Sequence, residues 1–165
     1  MASYIQPVQF GYFPRPVADD YPSLVAQARL ADEMGLDLIG IQDHPYQRRF
    51  LDTWTLIAAL AVQTERVRFF TDVANLPLRP PAMLAKAVAS LDVMSRGRIE
   101  LGLGAGAFWD GIAAMGGPRR EPGEAVDAVE EAIRVCRLMW EGERGARFEG
   151  EIYELRGVNP GPVPA

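Results

Sequence analysis

The only histidine of the chain, His44, stands in Asp43-His44-Pro45, just past an apolar run from Leu36 to Ile41 that reads as a strand. An imidazole gives or takes a proton near neutral pH, so at a strand's carboxyl end it is a candidate acid, base or ring partner. Taken alone, the tripeptide reads equally as a turn, which Asp and Pro both favour. A second candidate is Val73-Ala74-Asn75, the close of a β-branched and aromatic run that begins at Val67. A third is Gly102-Leu103-Gly104-Ala105-Gly106, small residues that let another group approach the backbone closely. With Ala107 this run formally matches G-x-G-x-x-A. That fingerprint belongs after a first strand and must open a helix directly. Here it ends a later strand and meets Phe108-Trp109-Asp110-Gly111, so it reads as backbone that another group approaches closely.

These candidates need elements to hold them. Val8 to Phe13 reads as a first strand, stopped by Pro14 and Pro16. Tyr21-Pro22-Ser23 opens a helix that Gly35 closes, and Leu36 to Ile41, apolar but for Asp37, reads as a strand buried on both faces. Asp52-Thr53 caps a helix to about Gln63. Val67 to Asn75 is the third strand, Ala82 to Met94 a third helix stopped at a left-handed Gly97, and Ile99 to Gly104 the fourth strand. Ala107 to Pro122 is a glycine-rich excursion. Glu124 to Trp140 is a fourth helix, with Asp127, Glu130, Glu131 and Arg134 on a solvated face and Cys136 a small buried hydrophobe. Phe148 to Tyr153, with central Gly150, has the alternation of a small hairpin. Trp109, Met115 and Trp140 read as packing residues. Strictly alternating βα units of this kind leave two architectures, a barrel or a doubly wound open sheet.

Asn75-Leu-Pro-Leu-Arg-Pro-Pro-Ala-Met-Leu-Ala-Lys86, Leu91-Asp-Val-Met-Ser-Arg-Gly-Arg98 and Leu101-Gly-Leu-Gly-Ala-Gly106 follow one another in order. In these motifs the chain resembles the bacterial-luciferase-like monooxygenase superfamily. The resemblance implies a (β/α)8 TIM barrel. Such barrels run to about 250 residues, so 165 residues are expected to supply the first four βα units, a half-barrel plus the hairpin, as one domain over 1–165 truncated after the fourth unit. It implies a cofactor, either the deazaflavin coenzyme F-420 or reduced FMN. It places His44 against the flavin ring with Asp43 as its orienting or capping neighbour. It places Val73, Ala74 and Asn75 behind the ring, in a bulge with a non-prolyl cis peptide at Val73–Ala74 or next to it, and Gly104, Ala105 and Gly106 against it. Some sugar-phosphate dehydrogenases of the family carry a glutamate immediately after this glycine run as proton donor; Ala107 stands there and argues against that chemistry. Arg79-Pro80-Pro81 replaces the Arg-His-Pro of many relatives. Ser95-Arg96-Gly97-Arg98 is expected to serve the fold rather than the chemistry.

Composition bounds the rest. A net charge of −5 with no basic stripe argues against nucleic acid. No apolar run is long enough to span a bilayer and no leader precedes the first strand, so a cytoplasmic protein is expected, and the resemblance implies a small-molecule substrate. One cysteine cannot close an internal disulfide. No His, Cys or carboxylate spacing suits a metal. An open parallel sheet leaves edges to cover, so a homo-oligomer is expected. The leading expectation is a deazaflavin-dependent oxidoreductase, with an FMN monooxygenase next. A reading of another class is an inactive half-barrel serving as a structural or binding dimer. A flavodoxin-like sheet ranks last, because Pro14-Arg15-Pro16 stands where its phosphate loop would be.

Overall fold

Prolines and one side-chain cap decide where the helices begin. The computed structural model describes residues 7–165. Pro22, Pro81 and Pro122 lie in the first turns of α1 (Tyr21–Glu33), α3 (Pro81–Ser95) and α5 (Pro122–Glu141), where a missing N–H is harmless. α2 (Thr53–Ala61) is instead capped by Asp52, whose carboxylate accepts a hydrogen bond from Thr55 N at 2.9 Å. A short α4 (Trp109–Ala114) lies inside the segment expected to be an irregular excursion. At the end of α3, Arg96 as well as Gly97 takes a left-handed backbone, at φ 63° and 83°, so the stop begins one residue before the glycine.

The strands are shorter than the apolar runs. β1 (Gly11–Tyr12), β2 (Leu38–Ile41), β3 (Arg68–Thr71), β4 (Ala74–Asn75), β5 (Ile99–Glu100) and β6 (Leu103–Gly104) follow in order. β1, β2, β3 and β5 form one parallel sheet in that sequence, and β4 and β6 pair separately, again in parallel. Each of the expected third and fourth strands is therefore broken in two. The break has a local cause: at Gly102 the carbonyl accepts from Ala74 N and from Thr71 Oγ1, both at 2.8 Å, and a side chain replaces one rung of the ladder. The Asp72–Val73 peptide between β3 and β4 is cis.

One face of the sheet carries Ile39, Ile41 and Phe69, all fully buried under Ile57, Leu60 and Val88 of the helices. The other face is built closely around glycine: a Cβ on Gly40 would lie 2.7 Å from Phe70 Cζ. α5 packs along α3, where Cys136 is buried and its thiol pushed up to about 11 by that burial, as a small hydrophobe would be. Trp140 Nε1 donates to Ala85 O at 3.0 Å, consistent with packing.

Two buried carboxylates tie loops to this frame. Asp32 accepts from the amides of Val67, Arg66 and Glu65 at 2.6, 2.8 and 3.0 Å, fixing the entry to β3. Glu131 belongs to the same class and not to the solvated face expected of it. It is buried, and it accepts from Glu151, Tyr153 and Ile152 N at 2.7, 2.9 and 3.1 Å. Those residues lie in the connection between β7 (Ala146–Glu149) and β8 (Glu154–Val158), so the hairpin extends to both sides of the stretch expected to form it. A Cβ on Gly150 would lie 2.4 Å from Glu131 Oε2, which is why glycine stands there.

Burial alone would raise both carboxyls, but three amide donors outweigh it and hold each below its ordinary range. A carboxyl lowered on folding contributes stability that is full above its unfolded value, near 4, and is lost as pH falls through the lowered value. The urea midpoint is therefore expected to hold from pH 7 to about 5 and to fall below about pH 4. Asp32→Asn and Glu131→Gln should each lower it at pH 7 and flatten its acid fall. An acid fall as steep in both variants as in the parent would assign it to other groups.

Candidate active site

The carboxyl ends of β2, β4 and β6 converge on one cavity of about 220 Å³. Asp43 and His44 reach it from the segment after β2, Val73, Ala74 and Asn75 from the break and β4, and Gly104, Ala105 and Gly106 from β6 and beyond. All eight residues expected from the sequence thus line a single cavity. Asp72 and Ala107 also line it, and two aromatic residues, Tyr46 and Phe108, complete the wall. Neither was among the expected site residues, although Tyr46 is two positions from His44 and Phe108 closes the glycine run.

His44, Tyr46 and Phe108 form an aromatic cluster. The His44 and Phe108 rings meet edge to face, 5.4 Å between centroids at 83°, and the Tyr46 centroid is 5.5 Å from His44 and 5.9 Å from Phe108. His44 Nδ1 lies 2.6 Å from the Tyr46 hydroxyl. Burial, then the Asp43 charge, raise the Tyr46 phenol above its usual range against an opposing contact from Asn75. Tyr46 therefore keeps its proton at neutral pH and can donate it to Nδ1, which leaves Nε2 bearing hydrogen in the neutral imidazole. α4 comes close enough to hold Tyr46 because Gly111 lacks a side chain: a Cβ there would be 2.8 Å from Tyr46 Cγ.

Asp43 does not orient His44. Its side chain is 1% exposed, and its carboxylate accepts from Asn75 N at 3.0 Å and from Arg79 Nη2 and Nε at 2.8 and 3.1 Å. Arg79 also pairs with Asp52, the cap of α2. Burial works against the Arg79 charge, but the hydrogen bonds and charges of Asp43 and then Asp52 raise its pKa above the ordinary guanidinium value. Burial would likewise raise Asp52, which Arg79 and the Thr55 amide bring below the usual range. This relay locks β4, the segment after β2 and the start of α2 to one another. No local signal in the sequence announces it, since Asp43 and Arg79 stand 36 residues apart.

The glycine run has neighbours of its own. A Cβ on Gly102 would lie 2.2 Å from Thr71 O, and one on Gly104 would lie 2.3 Å from Val73 Cγ2. The close approach that these two glycines permit is that of the adjoining strand. Among the buried polar atoms, Asn75 Oδ1 has no partner in the protein. Among the described residues, no group of His, Cys and carboxylates could hold a metal ion, and no helix is long and apolar enough to cross a membrane.

A model of the luciferase-like monooxygenase family matches residues 3–165. The chain belongs to that family. Among its relatives within the family, the F420-dependent glucose-6-phosphate dehydrogenase of Gordonia bronchialis is 33% identical over 168 aligned positions, covering 96% of this chain and 49% of that enzyme. An F420-dependent secondary alcohol dehydrogenase, solved with an F420–acetone adduct, superposes with a TM-score of 0.83 at 25% identity over 96% of this chain and 51% of its own. The oxygenating constituent of 3,6-diketocamphane monooxygenase from Pseudomonas putida, solved with FMN, superposes with a TM-score of 0.76 at 27% identity over 91% of this chain and 43% of its own. The chain thus spans about half the length of these relatives or less, and its structural neighbours are TIM-barrel enzymes of the same family.

Proposed function

We propose that the chain forms the first half of a (β/α)8 barrel and contributes the ring side of the cofactor site of an oxidoreductase that uses a deazaflavin to oxidise or reduce a small organic molecule. The observation that carries this reading is the cavity after β2, β4 and β6. It is walled by Val73, Ala74, Ala105 and Phe108, and beside it lies one buried acceptor without a protein partner, Asn75 Oδ1. Apolar walls suit a flat heterocycle, and an orphaned acceptor suits a ring N–H. At about 220 Å³ the cavity holds a ring system rather than a whole cofactor, whose binding sites run to roughly 300–1,000 Å³. The deazaflavin is favoured over FMN by the likeness to F420-dependent dehydrogenases across 96% of the chain. The FMN monooxygenase is the second reading, supported by the FMN-bound neighbour.

When bound, a deazaflavin supplies hydride transfer and reduced FMN supplies oxygen activation. The residues of this chain would bind and orient it: His44, Tyr46 and Phe108 would flank one side of the ring and Val73 the other. His44 is the group placed to give or take a proton, with Tyr46 setting its tautomer. Ala107 puts a methyl group at the cavity wall, so that position offers no proton donor of the kind a sugar-phosphate dehydrogenase needs. Self-association remains the expected way of covering Phe10 and Phe13, which are 65% and 50% exposed beside β1.

The test is a fluorescence titration with the deazaflavin and, separately, with FMN. The deazaflavin should bind more tightly, and His44→Ala should weaken it by about 10-fold or more through loss of one polar and one stacking contact. Absence of binding by either cofactor would put the structural-dimer reading ahead of the oxidoreductase.

A further inference from the structure

The loops after β1 and β2 enclose a second cavity, about 420 Å³, that shares His44 and Phe108 with the first. Its wall carries Arg15, Arg48 and Arg49 and no Asp or Glu, in a chain whose net charge is −5. Arg49 is engaged, pairing with Asp19 at 3.0 Å. Arg15 and Arg48 have no carboxylate at ion-pair distance among the described residues, and Met1 to Gln6 contain no acidic residue.

The two loops are stitched together. Val17 and Phe50 form an antiparallel bridge, Ala18 N donates to Arg49 O and Leu51 N to Pro16 O, each at 2.8 Å. Gln47 N then donates to His44 O at 2.9 Å, so the backbone that carries the arginines is continuous with the backbone that carries His44. A cleft lined by one sign of charge concentrates ions of the other sign, and a guanidinium fork matches the oxygens of a carboxylate or phosphate.

We propose that this cavity is an anion subsite, in which Arg15 and Arg48 hold a carboxylate or phosphate whose parent molecule extends over His44 into the ring cavity. The placement over the ring rests on the oxidoreductase reading; the anion site itself does not. The anionic group belongs either to the substrate, which is then an organic acid or phosphate ester, or to the phosphate-bearing tail of the cofactor.

Calorimetric titration of the protein with inorganic phosphate tests the site, comparing the parent with Arg15→Ala/Arg48→Ala. Both side chains are exposed, so the variant keeps the packed core, which circular dichroism checks. Saturable phosphate binding is expected, weakened about 10- to 100-fold in the variant, the loss of charge-assisted hydrogen bonds. FMN against riboflavin, and the deazaflavin against its core without phosphate, separate the sources. If the cofactor tail is held, the variant weakens FMN and the full deazaflavin but not riboflavin or the core. If a substrate anion is held, the variant leaves all four unchanged while losing phosphate. Phosphate binding lost in the variant, with no flavin bound by either protein, would keep the subsite and remove the oxidoreductase reading. Phosphate that fails to saturate, or that binds parent and variant alike, overturns the subsite.

Discussion

Asp43→Asn is expected to lower the unfolding free energy by about 3–5 kcal/mol, the cost of removing one partner from a buried ion pair. The carboxylate is 1% exposed and serves three donors at once: Asn75 N and two nitrogens of Arg79. Asparagine keeps the shape but offers one acceptor oxygen in place of two, and its amide turns a donor toward a guanidinium. Arg79 would be left partly buried with only Asp52, at the start of α2, to balance it. The urea midpoint measures this. Arg79→Lys separates charge from geometry: a single ammonium cannot span Asp43 and Asp52 as the fork does, so it should recover only part of the loss seen in Arg79→Ala. Full recovery by lysine would mean that net charge alone matters there. Because Asn75 N hangs on Asp43, Asp43→Asn should also loosen cofactor binding, while Leu60→Ala, a core truncation of similar cost at about 2–5 kcal/mol, should not.

The order of elements was legible in the sequence because it rests on local signals. Pro22, Pro81 and Pro122 announce helix starts, and the alternation of Ile39 and Ile41 with Gly40 announces a strand that must lie flat against helices. The site residues were legible for a different reason: strand ends mark the face where ligands sit, and the family's motifs mark which ends matter. What stayed hidden depends on distance along the chain. Glu131 looks like its neighbours Glu130 and Arg134, and only the hairpin about twenty residues later turns it inward, through three amides that have no strand partner. Arg79 shows nothing of Asp43, 36 residues before it. The breaks in the third and fourth strands come from one carbonyl, Gly102 O, shared between Thr71 and Ala74, and hydrophobic periodicity does not register such a rung. Tyr46 becomes a site residue only because Gly111 lets α4 close against it, which sets Phe108, at the start of α4, beside it.

The same breaks decide what the glycine run is for. Gly104→Ala would set a methyl 2.3 Å from Val73 Cγ2 and 3.3 Å from Val73 Cβ, so either that side chain or β6 must move. The expected cost is about 1–3 kcal/mol, typical of overpacking. The offending atom belongs to a side chain that is 43% exposed toward the cavity, and trimming it removes the clash. Val73→Ala should cost little alone, and Gly104→Ala with Val73→Ala should regain most of the stability, a coupling readable from a double-mutant cycle in urea. Gly102→Ala should behave otherwise. Its Cβ would meet Thr71 O, a backbone atom, at 2.2 Å, and no trimming of a neighbour relieves that. It should cost at least as much as Gly104→Ala and resist rescue by Val73→Ala, because the carbonyl that joins the strands is carried by Gly102 itself. Deazaflavin titration of the rescued double variant then separates two roles for Gly104. Binding restored along with stability means the glycine exists to admit Val73. Stability restored with binding still weak means that the ring, too, needs the bare backbone at 104, as the sequence first suggested.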